Sequence, residues 1–232
     1  MFSPKEVNPQ FNFLPMQRPF DIMLPWPGRK MTAMGRLGRA VFIGWLLLGT
    51  GSALARPVPT ANFLRAAAAL ENSHVVFDSS YRPIAYPMGD VPANTGVCAD
   101  VVVRAYRGIG IDLQRLVHED MLRNFAVYPK LWGLRAPDSN VDQRRVLNLA
   151  TFFRRHGAAL PITNDPHDYK PGDLVTWSLN PRGSTPHIGI VMPGRSSDGQ
   201  RPLILHNMGS GQIVQDILFG YKITGHFRYA VD

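Results

Sequence analysis

The chain has 232 residues, 45% of them hydrophobic, with 25 Lys and Arg against 17 Asp and Glu and a formal net charge of +8 at pH 7. It contains no lysine-rich run, no Gly-x-x-x-x-Gly-Lys loop and no paired Cys-x-x-Cys, so nucleic-acid, nucleotide and zinc-ribbon functions have nothing to rest on. A single cysteine, Cys98, excludes an intramolecular disulfide.

The elements follow in chain order. Residues 34–40 supply a basic start through Arg36 and Arg39, and residues 41–49 supply an apolar run too short to span a bilayer comfortably. Ala53-Leu54-Ala55 then has the small-x-small form of a signal-peptidase site. The expected organisation is a lead over residues 1–30, an export signal over 31–55 and one domain over 56–232. Two readings of the lead stay open: a true start at Met31 or Met34, or a long cytoplasmic lead before an uncleaved anchor. Residues 1–55 hold 6 of the Lys and Arg and 2 of the Asp and Glu, so the remaining 177 residues carry +4, mildly basic and no nucleic-acid footprint. Export to the periplasm of a Gram-negative-type envelope is the expected localisation, with no stable membrane span after signal cleavage.

Residues 61–70 read as an alanine-rich amphipathic helix with Asn62 available as its cap. The stretch 81–96 is rich in Pro and Gly and reads as a turn-filled approach to the cysteine. Apolar residues 99–106 form a buried helix that Gly108 and Gly110 close. A second helical region runs from Leu113 to Phe125, and a third over 141–155 has Ser139 or Asn140 as its cap, with a proline-containing loop over 128–137 between them. Short β-rich runs follow at 174–177, 187–192, 203–206 and 225–229. Helices first and strands later predict an α+β domain, an antiparallel sheet packed on the helix that follows Cys98.

An exported protein enters a space where structural thiols are usually paired, so an unpaired one is marked out as a candidate nucleophile. At a helix N-terminus the free amide groups and the helix dipole favour thiolate over thiol, which predicts a lowered pKa for Cys98. His187 is the candidate base; His206, or Asn207 if the register shifts by one, is the candidate that orients it. Asp100 and Arg104 stand at i,i+4 spacing, ordinarily an ion pair. Arg144 and Arg145 could grip a substrate carboxylate, and with Asp100, Trp177 and Asn207 they complete the expected substrate contacts. His118, Glu119 and Asp120 form a charged cluster of the kind usual on a solvated face.

Pro171-Gly172-Asp173-Leu174-Val175-Thr176-Trp177, then Pro186-His187-Ile188-Gly189-Ile190-Val191, then Leu205-His206, resembles the strand series of the NlpC family of papain-like cell-wall cysteine peptidases. The resemblance covers roughly residues 81–229. It implies a papain-like fold, catalysis by Cys98 and His187 with a polar residue on a later strand, and a tyrosine, here Tyr86, near the oxyanion site. One departure is Val97-Cys98-Ala99-Asp100 where that family has D-C-S-G: Val97 cannot hold the free amino end of a peptide as an acidic residue does. The stretches 86–100, 116–121 and 225–229 also resemble a family of exported bacterial proteins catalogued as a domain of unknown function. The expected activity is hydrolysis of an amide bond in cell-wall peptides, or in another envelope amide, with no cofactor and no metal. An acyl- or lipid-directed thiol hydrolase, a catalytically inactive envelope-binding module and a zinc protein using His187, His206 and His226 are the alternatives.

Overall fold

The computed structural model describes residues 58–131, 133–183 and 185–232. The lead and export signal expected over residues 1–55 lie outside the described residues. No helix among the described residues is long and apolar enough to cross a membrane.

The first helix, α1 (Thr60–Ala68), buries Phe63 and Ala67, four residues apart and so on one face. Its cap position is Pro59, not Asn62, whose side chain lies inside the helix and accepts from Arg65. Two short strands, β1 (Val76–Phe77) and β2 (Thr95–Gly96), pair in parallel and bring residues 76–96 back to the start of α2 (Cys98–Arg107). Eight of the ten α2 residues are buried, as a helix enclosed on several sides requires: α1 and the helices that follow cover it on one side and the sheet on the other. Gly108 ends it, and Gly110 turns the chain at φ 81°, a conformation that favours glycine.

Helix α3 (Leu113–Asn124) starts at Asp112, whose carboxylate accepts from the Arg115 amide at 3.2 Å. The third helical region is shorter than the 141–155 expected. A 3-10 turn at Asp142–Arg144 is followed by α4 (Val146–Arg155), and the backbone between them is extended at Arg145, φ −102° and ψ 115°. The Asp138 carboxylate caps the preceding turn by accepting from the Asn140 amide, so neither Ser139 nor Asn140 caps α4.

Five antiparallel strands form the main sheet: β3 (Leu174–Ser178), β4 (Pro186–Arg195), β5 (Pro202–Asn207), β6 (Gln212–Gln215) and β7 (Lys222–Phe227), in the order β6-β5-β4-β3-β7. The α+β class is as expected, with one strand more than the sequence indicated. Because side chains alternate along a strand, Leu174, Ile188, Ile190, Leu205 and Phe227 face α2 and α4 in the main core, while Val175, Trp177, Val191 and Ile204 form a second cluster on the opposite face with Tyr169 and Leu218. Burying each such large side chain contributes about 1.5–3 kcal/mol. Gly189 lets β5 come close on the second face: a Cβ there would stand 2.5 Å from the Ile204 side chain and 3.3 Å from the His206 Cβ.

Candidate functional site

Cys98 is the first residue of α2 and is 6% exposed. The neighbouring backbone amides of Ile188, Ala99 and Cys98 itself act on its charge. They favour the thiolate, as expected at a helix start, but burial outweighs them and pushes the thiol up to about 11, with the Asp100 carboxylate adding to the rise. The resting sulfur is therefore a neutral thiol, which corrects the lowered pKa expected from the helix end.

Cys98 packs with Ile188 in the core on the α2 face of the sheet, whereas His187, the residue before Ile188 on β4, shares the opposite face with Trp177. No hydrogen bond joins the two side chains. His187 is 2% exposed, pairs across the sheet with Trp177, and lies 5.9 Å from that ring, centroid to centroid. Its Nε2 is buried without a hydrogen-bond partner among the described residues.

His206 meets His187 edge to face, centroids 5.2 Å apart and planes at 84°. The two imidazoles are held by ring packing and not by a hydrogen bond between them: His206 turns its Nε2 to Gln215 Oε1 at 3.0 Å, and its Nδ1 has no partner among the described residues. Gln215 lies on β6, which was absent from the sequence reading; the β-branched pair Ile213-Val214 following Gly209 and Gly211 is the signal that marks it. Asn207 points the other way, as alternation demands. Its amide donates to the Gly96 carbonyl at 3.3 Å and its oxygen accepts from the Gly209 amide, so it ties β5 to the loop before Cys98.

Burial, then the charge of His206, holds His187 down to about 3, and burial lowers His206 as well. Both are neutral bases at pH 7. Because the folded value of His187 lies below its ordinary 6.5, the unfolded chain binds a proton in that interval that the folded chain does not. Stability therefore falls as pH drops below 6.5, by about 1.4 kcal/mol for His187 between about pH 7.5 and about pH 5.5. Urea unfolding at the two pH values should show this loss in the native chain and a smaller one in His187→Gln; an equal loss in both would overturn the assignment.

The other expected contacts sort differently. Asp100, 3% exposed, accepts from the Val97 amide at 2.7 Å and holds Arg144 by its Nε and Nη2, each at 3.0 Å. It is not paired with Arg104, which instead grips Asp90 and the carbonyls of Val91, Pro92 and Thr95. Asp100 thus holds α2 in place and has no reach left for substrate. Trp177 is fully buried with its Nε1 donating to the Leu218 carbonyl, so it is a core residue and not a substrate contact. Tyr86 lies against α3: its ring meets His118 at 5.3 Å, and the charges that act on it are Glu119, Arg115 and Asp112. Nothing ties it to Cys98.

Arg144 and Arg145 line a cavity of about 410 Å³ with Ser79, Tyr81, Val97 and Val141. Val97 precedes the thiol. His118, in the cluster expected on a solvated face, bonds the fully buried Asp142 through Nδ1 at 2.8 Å. His226 has both ring nitrogens engaged, by the Pro161 carbonyl and by Asp173, and takes no part with His187 and His206. Among the described residues no three metal-ligating side chains converge, so His187, His206 and His226 do not form the alternative zinc arrangement.

Two comparisons bear on this geometry. The chain is 49% identical over 159 residues, 68% of its own length and 76% of the relative's, to the uncharacterized protein YijF of Escherichia coli strain K12. A family model for a domain of unknown function, DUF1287, matches residues 64–229, a span that includes Cys98, His187, His206 and the arginine-lined cavity. The chain belongs to the DUF1287 family.

Proposed function

We propose that this protein is an exported, periplasmic cysteine hydrolase of papain-like fold that cleaves an amide bond in cell-wall peptides. The observation that supports the reading is the thiol at the head of α2, packed with Ile188 of β4, the strand residue next to His187, an imidazole whose Nε2 is buried without a partner among the described residues. The resemblance of the His187 and His206 strands to the NlpC series supports the substrate class.

The chemistry starts from two neutral groups. As Cys98 Sγ attacks the amide carbonyl carbon, its proton passes to His187, and the new oxyanion takes hydrogen bonds from the Cys98 and Ala99 amides at the head of α2. The C–N bond then breaks, and the departing amine leaves with the proton from His187. Water, deprotonated by His187, releases the acid from the thioester and returns the thiol. At rest His187 lies on the Trp177 face of the sheet, opposite α2, so catalysis requires the imidazole to swing round β4 to the thiol in the substrate complex, and the edge-on His206 limits that turn. Incubating the protein with a muropeptide digest should give pairs of new fragments whose masses sum to that of the parent plus one water, by mass spectrometry; a digest unchanged against a Cys98→Ala control would overturn the reading.

One observation favours a second reading. A thiol that is buried and protonated at neutral pH suits a non-catalytic envelope-binding module, which would bind muropeptides without cutting them.

A further inference from the structure

We propose that the end of α3 and the turn after it form a patch that rests on an anionic phospholipid surface. The proposal does not depend on the thiol chemistry. Over residues 121–137 the chain has no Asp or Glu, carries Arg123, Lys130 and Arg135, and is otherwise mostly apolar.

Helix α3 buries Leu113, Gln114, Val117, Asp120 and Met121 on one side, which at about 3.6 residues per turn leaves Leu122 on the other. Leu122 is 60% exposed. A single exposed leucine means little, but Val127 follows at 57% and Leu131 at 47%. The turn that carries them is pinned. Tyr128 is buried and donates its hydroxyl proton to the Asp120 carboxylate, which Arg155 also holds. Lys130 Nζ donates back to the Phe125 carbonyl and lies over the Phe125 ring. Val127 and Leu131 thus flank an anchored residue and stay in water beside the end of α3. Large apolar side chains grouped in this way mark a contact face.

Charge selects the partner. Glu119 is the one acid of α3 outside its buried side, and Arg115 and Arg123 share it at 3.6 and 4.0 Å. Lys130 has the neutral carbonyl and ring of Phe125 as its partners. Arg115, Arg123 and Lys130 against Glu119 leave two positive charges in excess, while Asp120 is balanced by Arg155. This pairing of exposed apolar groups with basic ones matches the boundary of a bilayer, where the apolar groups enter among the headgroups and the cations meet anionic lipid.

The test puts a fluorophore in the patch. Full-length protein carrying Cys98→Ala and Val127→Cys is labelled with an environment-sensitive NBD group. It is then mixed with phosphatidylglycerol–phosphatidylcholine vesicles, with pure phosphatidylcholine vesicles, or with none. The mixed vesicles should raise emission about threefold or more and shift it to the blue, added salt should weaken the change, and Arg123→Glu with Lys130→Glu should remove most of it. The same probe at Ser197→Cys, in the turn before β5, controls for lipid contact made through the apolar run at 41–49 and should change little. Unchanged emission, equal changes at the two probe positions, or an equal response to both vesicle types would each overturn the proposal. So would a response to protein concentration without vesicles, which would give the face to a second copy of the chain. The comparison of vesicle types needs no charge variant to fold.

Discussion

Cys98→Ala and His187→Ala should each lower the rate of muropeptide cleavage by about 10³-fold or more, and the double variant should lose little beyond either single one. The thiol supplies the bond to carbon and the imidazole supplies the path for its proton, so neither step proceeds without the other. Two independent contributors would instead multiply their losses. Circular dichroism should show all three variants folded, since Cys98→Ala removes one sulfur atom from a packed site. Additive losses, or a His187→Ala protein that keeps more than about a tenth of the native rate, would remove His187 as the base.

Asp100→Ala should be the most destabilising substitution near the site, by about 3–5 kcal/mol in urea unfolding, out of the roughly 5–15 kcal/mol that holds a domain of this kind folded. The carboxylate is 3% exposed and closes the start of α2 through the Val97 amide. Without it, Arg144 keeps a charge among the carbonyls of Asp78 and Ser80 with no anion to balance it. The control is Asp100→Ala combined with Arg144→Met, which removes the stranded charge and should recover part of the loss. A double variant less stable than Asp100→Ala would show that Arg144 is held by other contacts.

The main elements were legible in the sequence where one local rule decides them. Apolar runs marked α2, α3 and four strands of the sheet, and Gly108 and Gly110 marked the end of α2. Where two local rules competed, the reading slipped: a carboxylate from Asp138 took over the turn before α4, and an extended Arg145 divided what the pattern reads as one helix. The short β6 was lost because two β-branched residues between two glutamines, with no polar–apolar alternation, give a weak signal.

The sequence by itself determined the α+β class, the place of Cys98 at the head of a buried helix and the strand positions of His187 and His206, because these follow from spacing along the chain. Only the tertiary structure decided what those groups do to one another. Asp100 took Arg144, 44 residues away, over its helical neighbour Arg104, because Asp90 and three carbonyls already fill the reach of Arg104. Burial reversed the thiol shift expected of a helix end, since desolvation of a charge in the core exceeds what three neighbouring amides return. Local sequence carries dipoles and periodicity; the depth at which a group is buried and the partner it meets depend on how distant segments close over it.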